Sequence, residues 1–389
     1  MARAGASGLA AWAVAGVLCV GSAKAMPEFN QINLVSDIPG LAQSVDPDLV
    51  NPWGMSSSAT SPIWVSDNGT GLATLYNGAG VKQSLIVTIA PPPASTGPSA
   101  PDGQVFNAGA PGSAFNVTAG GKSGSSKFIF ATEDGTISGW SPGVNATNSI
   151  IAVDNSAGTT SAVYKGLAIG TSGGVTRLYA ANFRSGQVEI YDQNFALIGT
   201  ITDPSVPAGY APFNVQVLNG QLYVTFAVQD GAKHDDVAGA GNGIVDRFNL
   251  DGTGMTRLVS NGGPLDSPWG LALAPSAFGS LAGDLLVGNF GDGTIDAFTA
   301  SGGFIGALLN TQGTPIAIDG LWGLLPGNGG NGGSPNSLYF TAGPNGESDG
   351  LFGFLAVPEP ASAMLLLTGL GGIAALRRRA GRRAQPGVG

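Results

Sequence analysis

A single long loop carries most of the side chains in this sequence that could bind a metal ion or move a proton. Residues 229–242, QDGAKHDDVAGAGN, include the chain's one histidine, His234. Carboxylate and amide oxygens are the ligands that Ca²⁺ takes, and an imidazole titrates near neutral pH. We expect the loop to bind Ca²⁺ or to form a solvated lip that contacts a partner, with His234 as a base or as an ordinary hydrogen-bonding residue. The candidate metal ligands are Asp230, Asp235, Asp236 and Asn242.

Two motif matches elsewhere have simpler explanations. Residues 170–174, GTSGG, fit the G-x-S-x-G pattern of a nucleophile elbow, which requires a strand-to-helix turn. Here the stretch separates two predicted strands, so a hairpin is expected. The glycines at 239, 241 and 243 lack the last spacing and the following helix of a dinucleotide site. No motif in the chain therefore requires a cofactor, and Ca²⁺ is the one candidate ion.

The elements that must position the loop come from a repeat. One predicted strand recurs as PIWVSD, KFIFATED, RLYAANF, QLYVTFA, DLLVGNF and SLYFTAG. A second strand follows each time, and its aromatic residue recurs at intervals of 64, 51, 57, 50 and 56 residues. Those aromatic residues are Tyr76, Trp140, Tyr191, Phe248, Phe298 and Phe354. Regular β-branched and aromatic positions separated by glycine-rich turns indicate β structure rather than disorder.

Two further strands complete each repeat. A short apolar strand precedes each pair, as NPWGMS, SAFNVT, YKGLAI, APFNVQ, SPWGLA and GLWGLL, and an outer strand follows five of the six. Six repeats of four strands predict an all-β, six-bladed β-propeller. The sixth repeat lacks its outer strand, and residues 31–37, QINLVSD, resemble the outer strand of the fourth repeat. We therefore predict that residues 32–35 pair antiparallel with the strand at 351–356 and close the ring, which removes an exposed sheet edge.

In a propeller, the loops between second and third strands share one face with the loops that lead into each innermost strand. This face is the predicted functional surface, although asparagine and aspartate are also common turn formers. The candidate binding residues collected there are Asp46, Asn51, Asp67, Asn68, Glu133, Asp134, Asn182, Arg184, His234, Asp266, Asn289, Asp292 and Asp319.

Charge restricts the partners of the propeller. Residues 26–356 contain 24 acidic and 9 basic side chains, a formal net charge of −15. Nucleic acid is an unfavourable partner because its phosphates require a basic face. An acidic surface instead suits solubility outside the cell and attracts cations.

Both ends of the chain predict export. Residues 1–25 combine Arg3, an apolar run at 9–21 and the sequence Ala-Lys-Ala, which is typical of a cleaved signal peptide that forms a short helix. Residues 357–389 begin with Val357, Pro358, Glu359 and Pro360 and continue into a short hydrophobic helix. An arginine cluster that includes Arg377, Arg378 and Arg379 follows. The apolar part, residues 361–376, is shorter than the roughly 20 residues of a spanning helix.

The order Pro-Glu-Pro, apolar helix, arginine cluster resembles the PEP-CTERM sorting signal of Gram-negative bacteria. The resemblance implies transient anchoring in the inner membrane, processing by an exosortase-type enzyme, and a final location at the cell surface or outside. A plain C-terminal membrane anchor is the alternative. The stretches NLVSDIPG, NPWGMS, WVSDNGTGLATLYNGAG, FIFATEDGTISGW and HDDVAGAGNGIVD also resemble a family of predicted bacterial propellers that often carry such tails. That family brings no established activity; more distantly, the layout is similar to NHL-type and lactonase-like six-bladed propellers.

Three functions remain open at this point. The first is a surface-targeted binding module whose loop face binds exopolysaccharide or an envelope protein. The second is a metal-dependent, lactonase-like hydrolase, which needs three or four oxygen or nitrogen ligands at one point above the central channel. The third is a structural component of the extracellular matrix.

Overall fold

Six antiparallel blades of four strands each form a closed ring in the computed structural model of the chain, and two short parallel strands extend the blade at which the ring closes. The structure describes residues 26–93, 95–109, 114–158 and 161–358. The predicted signal peptide at 1–25 lies outside these ranges, as do Glu359, Pro360, Arg377, Arg378 and Arg379 of the predicted sorting signal. Within the described ranges, no helix is both long and apolar enough to cross a membrane.

Each sheet is one blade, with its strands in chain order from the channel outward, except at the point of closure. Blade 1 consists of Pro52–Ser56, Ile63–Asp67, Leu72–Tyr76 and Val87–Thr88. Blade 2 consists of Pro101–Phe106, Phe128–Thr132, Thr136–Trp140 and Ile150–Asp154. Blade 3 consists of Tyr164–Ser172, Val175–Asn182, Gln187–Tyr191 and Leu197–Ile201.

The second half of the ring repeats this plan. Blade 4 consists of Tyr210–Leu218, Gln221–Val228, Ile244–Phe248 and Thr256–Val259. Blade 5 consists of Pro268–Leu273, Leu285–Asn289, Ile295–Phe298 and Phe304–Ala307, with a short 3₁₀ helix at Ser276–Leu281. Blade 6 consists of Leu321–Pro326, Leu338–Ala342, Leu351–Ala356 and the N-terminal strand Glu28–Ser36. One helical turn, Pro344–Glu347, lies in its second loop.

Closure by the N-terminal strand is confirmed. Ile32 pairs with Phe354 and Val35 with Phe352 in an antiparallel ladder. Two short strands, Ser44–Val45 and Leu309–Asn310, pair with the same strand in parallel. The ring therefore joins its two ends within one blade. The stretch at 170–174 is also the hairpin that was expected, because the paired strands reach Ser172 and Val175.

One strand of blade 2 corrects the sequence prediction. The innermost strand is Pro101–Phe106, and the predicted SAFNVT stretch contributes Asn116–Ala119 to a separate hairpin with Lys122–Ser125. SAFN resembles the APFN of blade 4, which explains the wrong prediction. The position next to the channel requires Gly103, because a Cβ there would overlap the backbone of blade 3 at Gly166 and Leu167.

Apolar side chains fill the spaces between neighbouring blades. The cluster between blades 5 and 6, for example, includes Phe29 from the closing strand beside Phe278 and Leu308, all essentially buried. Glycines let the innermost strands approach one another around the axis. A methyl group at Gly323 would lie 2.6 Å from the Trp53 carbonyl oxygen, and one at Gly270 would lie 2.8 Å from that of Trp322. Small residues at these positions therefore allow the innermost strands to pack closely around the channel.

Candidate functional site at the mouth of the channel

Equivalent positions on the six innermost strands define the base of the candidate site. In blade order they are Trp53, Asp102, Lys165, Phe213, Trp269 and Trp322, each followed by glycine or asparagine. Four are aromatic, and the two charged residues lie on the adjacent blades 2 and 3. These side chains lie near the beginning of each inner strand and therefore form one layer around the axis.

The aromatic residues of this layer close the channel. The rings of Trp53 and Trp322 stack with centroids 3.4 Å apart, and Trp269 meets both edge-on at 5.9 Å. Phe213 completes the plug at 6.0 Å from Trp322. Below the plug remains a void of about 20 Å³, enough for about one water molecule. A ligand on the axis is thus confined to the loop face above the plug.

Lys165 is buried at the centre of this mouth. Its side chain is 2% exposed, and its ammonium group lies 5.0 Å from the ring centre of Trp53. The ammonium contacts Glu133 Oε1 and lies 3.3 Å from Asp235 Oδ1. Burial acts to lower the pKa of Lys165, but these carboxylates outweigh it and hold the pKa above its usual value. The lysine is therefore a fixed positive charge over an aromatic face.

Amide side chains connect this ion pair to blades 1 and 6. Asn68 Nδ2 donates to Glu133 Oε2 at 2.8 Å, and Asn51 Nδ2 donates to Glu347 Oε2 at 2.9 Å. Asn51 Oδ1 in turn accepts from Trp322 Nε1 at 3.0 Å. Asn51 Nδ2 also lies 3.4 Å from Asn68 Oδ1, so the plug and the polar rim above it form one hydrogen-bonded unit.

The long loop of blade 4 supplies the exposed side of the mouth. His234 Nδ1 lies 2.8 Å from Asp235 Oδ1, and this hydrogen bond raises the pKa of His234 and lowers that of Asp235 to about 2. The side chains of His234 and Asp235 are 39% and 66% exposed. Glu133, His234 and Asp235 each offer a ligand atom, and the three atoms lie within 4.8 Å of one another. In the described part of the chain, no other group of three histidine, cysteine or acidic side chains meets this distance.

The other predicted calcium ligands have different positions. Asp230 Oδ1 accepts from the backbone N–H groups of His234 and Asp235, so it shapes the loop. Asn242 Nδ2 donates to the carbonyl of Val237. Asp236 Oδ2 is buried without a hydrogen-bond partner, and burial raises the pKa of this carboxyl. The structure thus brings Asp235 together with Glu133 and His234, rather than with the three other predicted ligands.

Several residues of the predicted face stabilise loops. Asp134 accepts from the N–H of Ala100, Asp266 from that of Gly239 and Asp319 from that of Asn345. Asp292 accepts from both the backbone and the hydroxyl of Thr294. The remaining members are bound to neighbours as follows: Asp46 to Tyr76 and Lys82, Asp67 to Thr74, Asn182 to Glu189, Arg184 to Ser161, and Asn289 to Asp296.

Lys165 and Asp102 are site residues that the sequence interpretation missed. A signal existed, because both occupy the position where four other innermost strands carry an aromatic residue. Asp102 is fully buried, and its Oδ2 has no hydrogen-bond partner. Burial and the nearby Glu133 raise the pKa of this carboxyl well above its usual value. Aligning the predicted inner strands would have identified Lys165, whereas Asp102 became visible only with the correct inner strand of blade 2.

These features define the class of protein: a closed six-bladed propeller with a plugged channel and a charged mouth. Among solved structures, a catalytically inactive variant of virginiamycin B lyase from Staphylococcus aureus, with quinupristin, has a similar fold. Its TM-score is 0.50 at 12% identity, covering 85% of this chain and 99% of that one. At this identity the likeness shows the fold alone.

Sequence relatives then place the chain more narrowly. No family model matches it. It is 34% identical over 330 residues to "Uncharacterized protein L690" of Acanthamoeba polyphaga mimivirus, covering 83% of this chain and 84% of that protein. It is also 34% identical over 328 residues to "Uncharacterized protein R648" of the same virus, covering 82% and 78%. The chain belongs to the family of these proteins. These relatives are viral and do not support the predicted bacterial family or its PEP-CTERM tail, which stay predictions.

Proposed function

We propose that this chain is an exported propeller whose acidic loop face binds a hydroxyl-rich ligand, an extracellular polysaccharide, at the mouth of the channel. The observation that carries the proposal is the convergence of Asn68, Glu133 and Asp235 around Lys165, above a channel closed by aromatic rings. In such a cluster, carboxylates accept hydrogen bonds from sugar hydroxyls, and side-chain amides both accept and donate them. A protein of the cell envelope is the alternative partner.

Exposure decides which of these residues a ligand would reach. Lys165 is buried beneath the rim, whereas Asp235 and His234 border the solvent. The propeller as a whole has a formal net charge of −15, which favours neutral or cationic groups over phosphate-rich partners. A saccharide would therefore contact the long loop first and Glu133 beneath it.

Replacing Asp235 with asparagine tests the site. We expect Asp235→Asn to weaken binding about tenfold or more, because a hydrogen bond to a charged group is worth about 1.5–3 kcal/mol. The measurement is retention on an array of immobilised bacterial polysaccharides, followed by titration of whichever polysaccharide is retained. Asp251→Asn is the matched control, since it removes the same charge from a turn at the opposite ends of the blade strands. An equal loss of polysaccharide binding in the two variants would contradict the proposal, as would a wild-type protein that no polysaccharide retains.

Export and surface sorting are the second part of the proposal. They are supported by the signal-like residues 1–25 and by the order of Pro-Glu-Pro, apolar segment and arginines after residue 357. An exosortase-type enzyme would then cleave a transient membrane anchor near Pro358. Intact-mass measurement of protein released from a host with such an enzyme tests this: we expect Arg377, Arg378 and Arg379 to be absent, and their recovery would indicate a permanent anchor.

A metal-dependent, lactonase-like hydrolase is the second candidate function. It is favoured by one observation, the three ligand atoms of Glu133, His234 and Asp235 within 4.8 Å of one another. A divalent ion held there would lower the pKa of a bound water and make it a nucleophile. This candidate requires the wild-type protein to bind such an ion at these side chains, so it and the cation site inferred below exclude each other. The terbium titration of the wild-type protein decides between them.

A further inference from the structure

We propose that the side chains around Lys165 form a cation site on the propeller axis, in which the ammonium group of Lys165 is the resident cation. The same ring takes a metal ion when that ammonium is removed, and the wild-type protein is metal-free at this point. This inference does not depend on whether the mouth binds a polysaccharide, because it concerns the occupant of the ring itself.

The ammonium group of Lys165 lies between carboxylates that could bind a metal ion. Two of its neighbours, Glu133 Oε1 and Asp235 Oδ1, belong to the one described group of side chains whose spacing could hold a metal ion. Metal–oxygen bonds of about 2.4 Å allow the ligands of one ion to lie up to about 4.8 Å apart, and the ligand atoms of that group all lie within 4.8 Å of one another. The ammonium therefore occupies the space that an ion bound by these atoms would need.

A buried polar atom without a partner lies in the same layer of side chains as Lys165. Asp102 is fully buried on the innermost strand next to that of Lys165, and its Oδ2 has no partner. Glu133 acts to raise the pKa of Asp102 and Lys165 acts to lower it, so the three groups interact electrostatically. A buried carboxyl oxygen without a donor is costly, so the layer around Lys165 contains an acceptor that the lysine does not satisfy.

Neighbouring carboxylates and an aromatic ring explain why Lys165 is retained in a buried position. Taking an ammonium out of water is unfavourable unless carboxylates and an aromatic face compensate it. Lys165 has both, with carboxylates from blades 2 and 4 and the ring of Trp53 from blade 1. This lysine of blade 3 thus joins three other blades at the axis without an exogenous ion. Removing the ammonium leaves a ring of acidic groups with no internal cation.

Terbium luminescence provides a direct test, because an excited tryptophan transfers energy to a Tb³⁺ ion only at short range. Trp53 lies 5.0 Å from the ammonium position. We expect Lys165→Met to bind Tb³⁺ with a saturable sensitised signal that Ca²⁺ competes away. Wild-type protein and Lys165→Arg, which keeps a cation in place, should bind at least tenfold more weakly. Adding Glu133→Gln to Lys165→Met should reduce the affinity at least tenfold.

A second lysine serves as the matched control. Lys82 also pairs with two carboxylates, Asp46 and Asp48, at the seam between blades 6 and 1. Lys82→Met should create no Tb³⁺ signal that depends on Glu133. Equal Tb³⁺ binding by wild type and Lys165→Met at Glu133 would overturn the proposal, as would a folded Lys165→Met that binds none. If Lys165→Met folds poorly, stabilisation of its thermal melt by Ca²⁺ supports the proposal, and its absence contradicts it.

Discussion

A chain that begins at residue 38 should lose several kcal/mol of stability relative to one that begins at residue 26. The deleted strand pairs with Leu351–Ala356 along its length and buries Phe29, Leu34 and Val35. Each of these side chains contributes about 1.5–3 kcal/mol by burial, and the deletion also opens an unpaired sheet edge. Urea unfolding of the two chains, followed by tryptophan fluorescence, measures the difference.

A single substitution separates packing from strand pairing in this closure. Phe29→Ala leaves the backbone ladder intact but removes the ring that packs 4.5 Å from Phe278. It should cost about 3–5 kcal/mol, as large-to-small changes of buried aromatic residues do. Exposed Gln31→Ala, on the same strand, should change the unfolding midpoint little. If the chain from residue 38 unfolds at the same urea concentration as the chain from residue 26, the closing strand does not stabilise the ring.

The fold was predictable because its strongest signals are local and periodic. The aromatic residues at Tyr76, Tyr191 and Phe298 mark the same strand of different blades, and all are buried between blades as the repeat implies. Closure was predictable for the same reason, since an outer strand missing at one end was visible at the other. The error in blade 2 arose because the sequence of a hairpin resembles that of an inner strand. Gly103 marks the true inner strand, since a side chain there would overlap the backbone of blade 3.

The site was predictable only in part, because its geometry joins residues far apart in the chain. The loop with His234 and Asp235 was identified from its length and composition, and Glu133 from its place in a turn. Their convergence on Lys165 depends on the angle between blades, which no local pattern encodes. Aspartates such as Asp292 and Asp134 look alike in sequence, and only their hydrogen bonds show that they hold turns.

A partly buried arginine between blades 3 and 4 leads to the other large expected effect. Arg257 bonds Asp246 Oδ1 through Nε, and its Nη2 lies 2.5 Å from Asp203 Oδ2. Both aspartate side chains are fully buried, while the arginine is 22% exposed. Arg257→Ala should therefore destabilise the protein by about 3–5 kcal/mol, because it leaves two buried carboxylates facing each other without a cation.

The sign of the pH dependence follows from Asp246. Burial raises the pKa of Asp246 to about 7, even though Arg257 acts to lower it. A carboxyl whose pKa is raised on folding favours the folded state at low pH, and this contribution is lost as the pH rises from about 4 through about 7. Without Arg257 the pKa of Asp246 should rise further. The damage from Arg257→Ala should therefore be greater at pH 8 than at pH 5.

Urea unfolding at both pH values measures this effect, and a double-mutant cycle assigns it. Asp246→Asn removes one of the two charges, so the combination with Arg257→Ala should recover part of the stability at pH 8 and little at pH 5. Arg257→Lys keeps the charge but cannot bond both carboxylates through a planar guanidinium. The stability of this variant should therefore lie between that of the wild type and that of Arg257→Ala. A loss below about 1 kcal/mol for Arg257→Ala at pH 8 would mean that the two carboxyls share a proton without help. In that case Arg257 would not be needed to join blades 3 and 4.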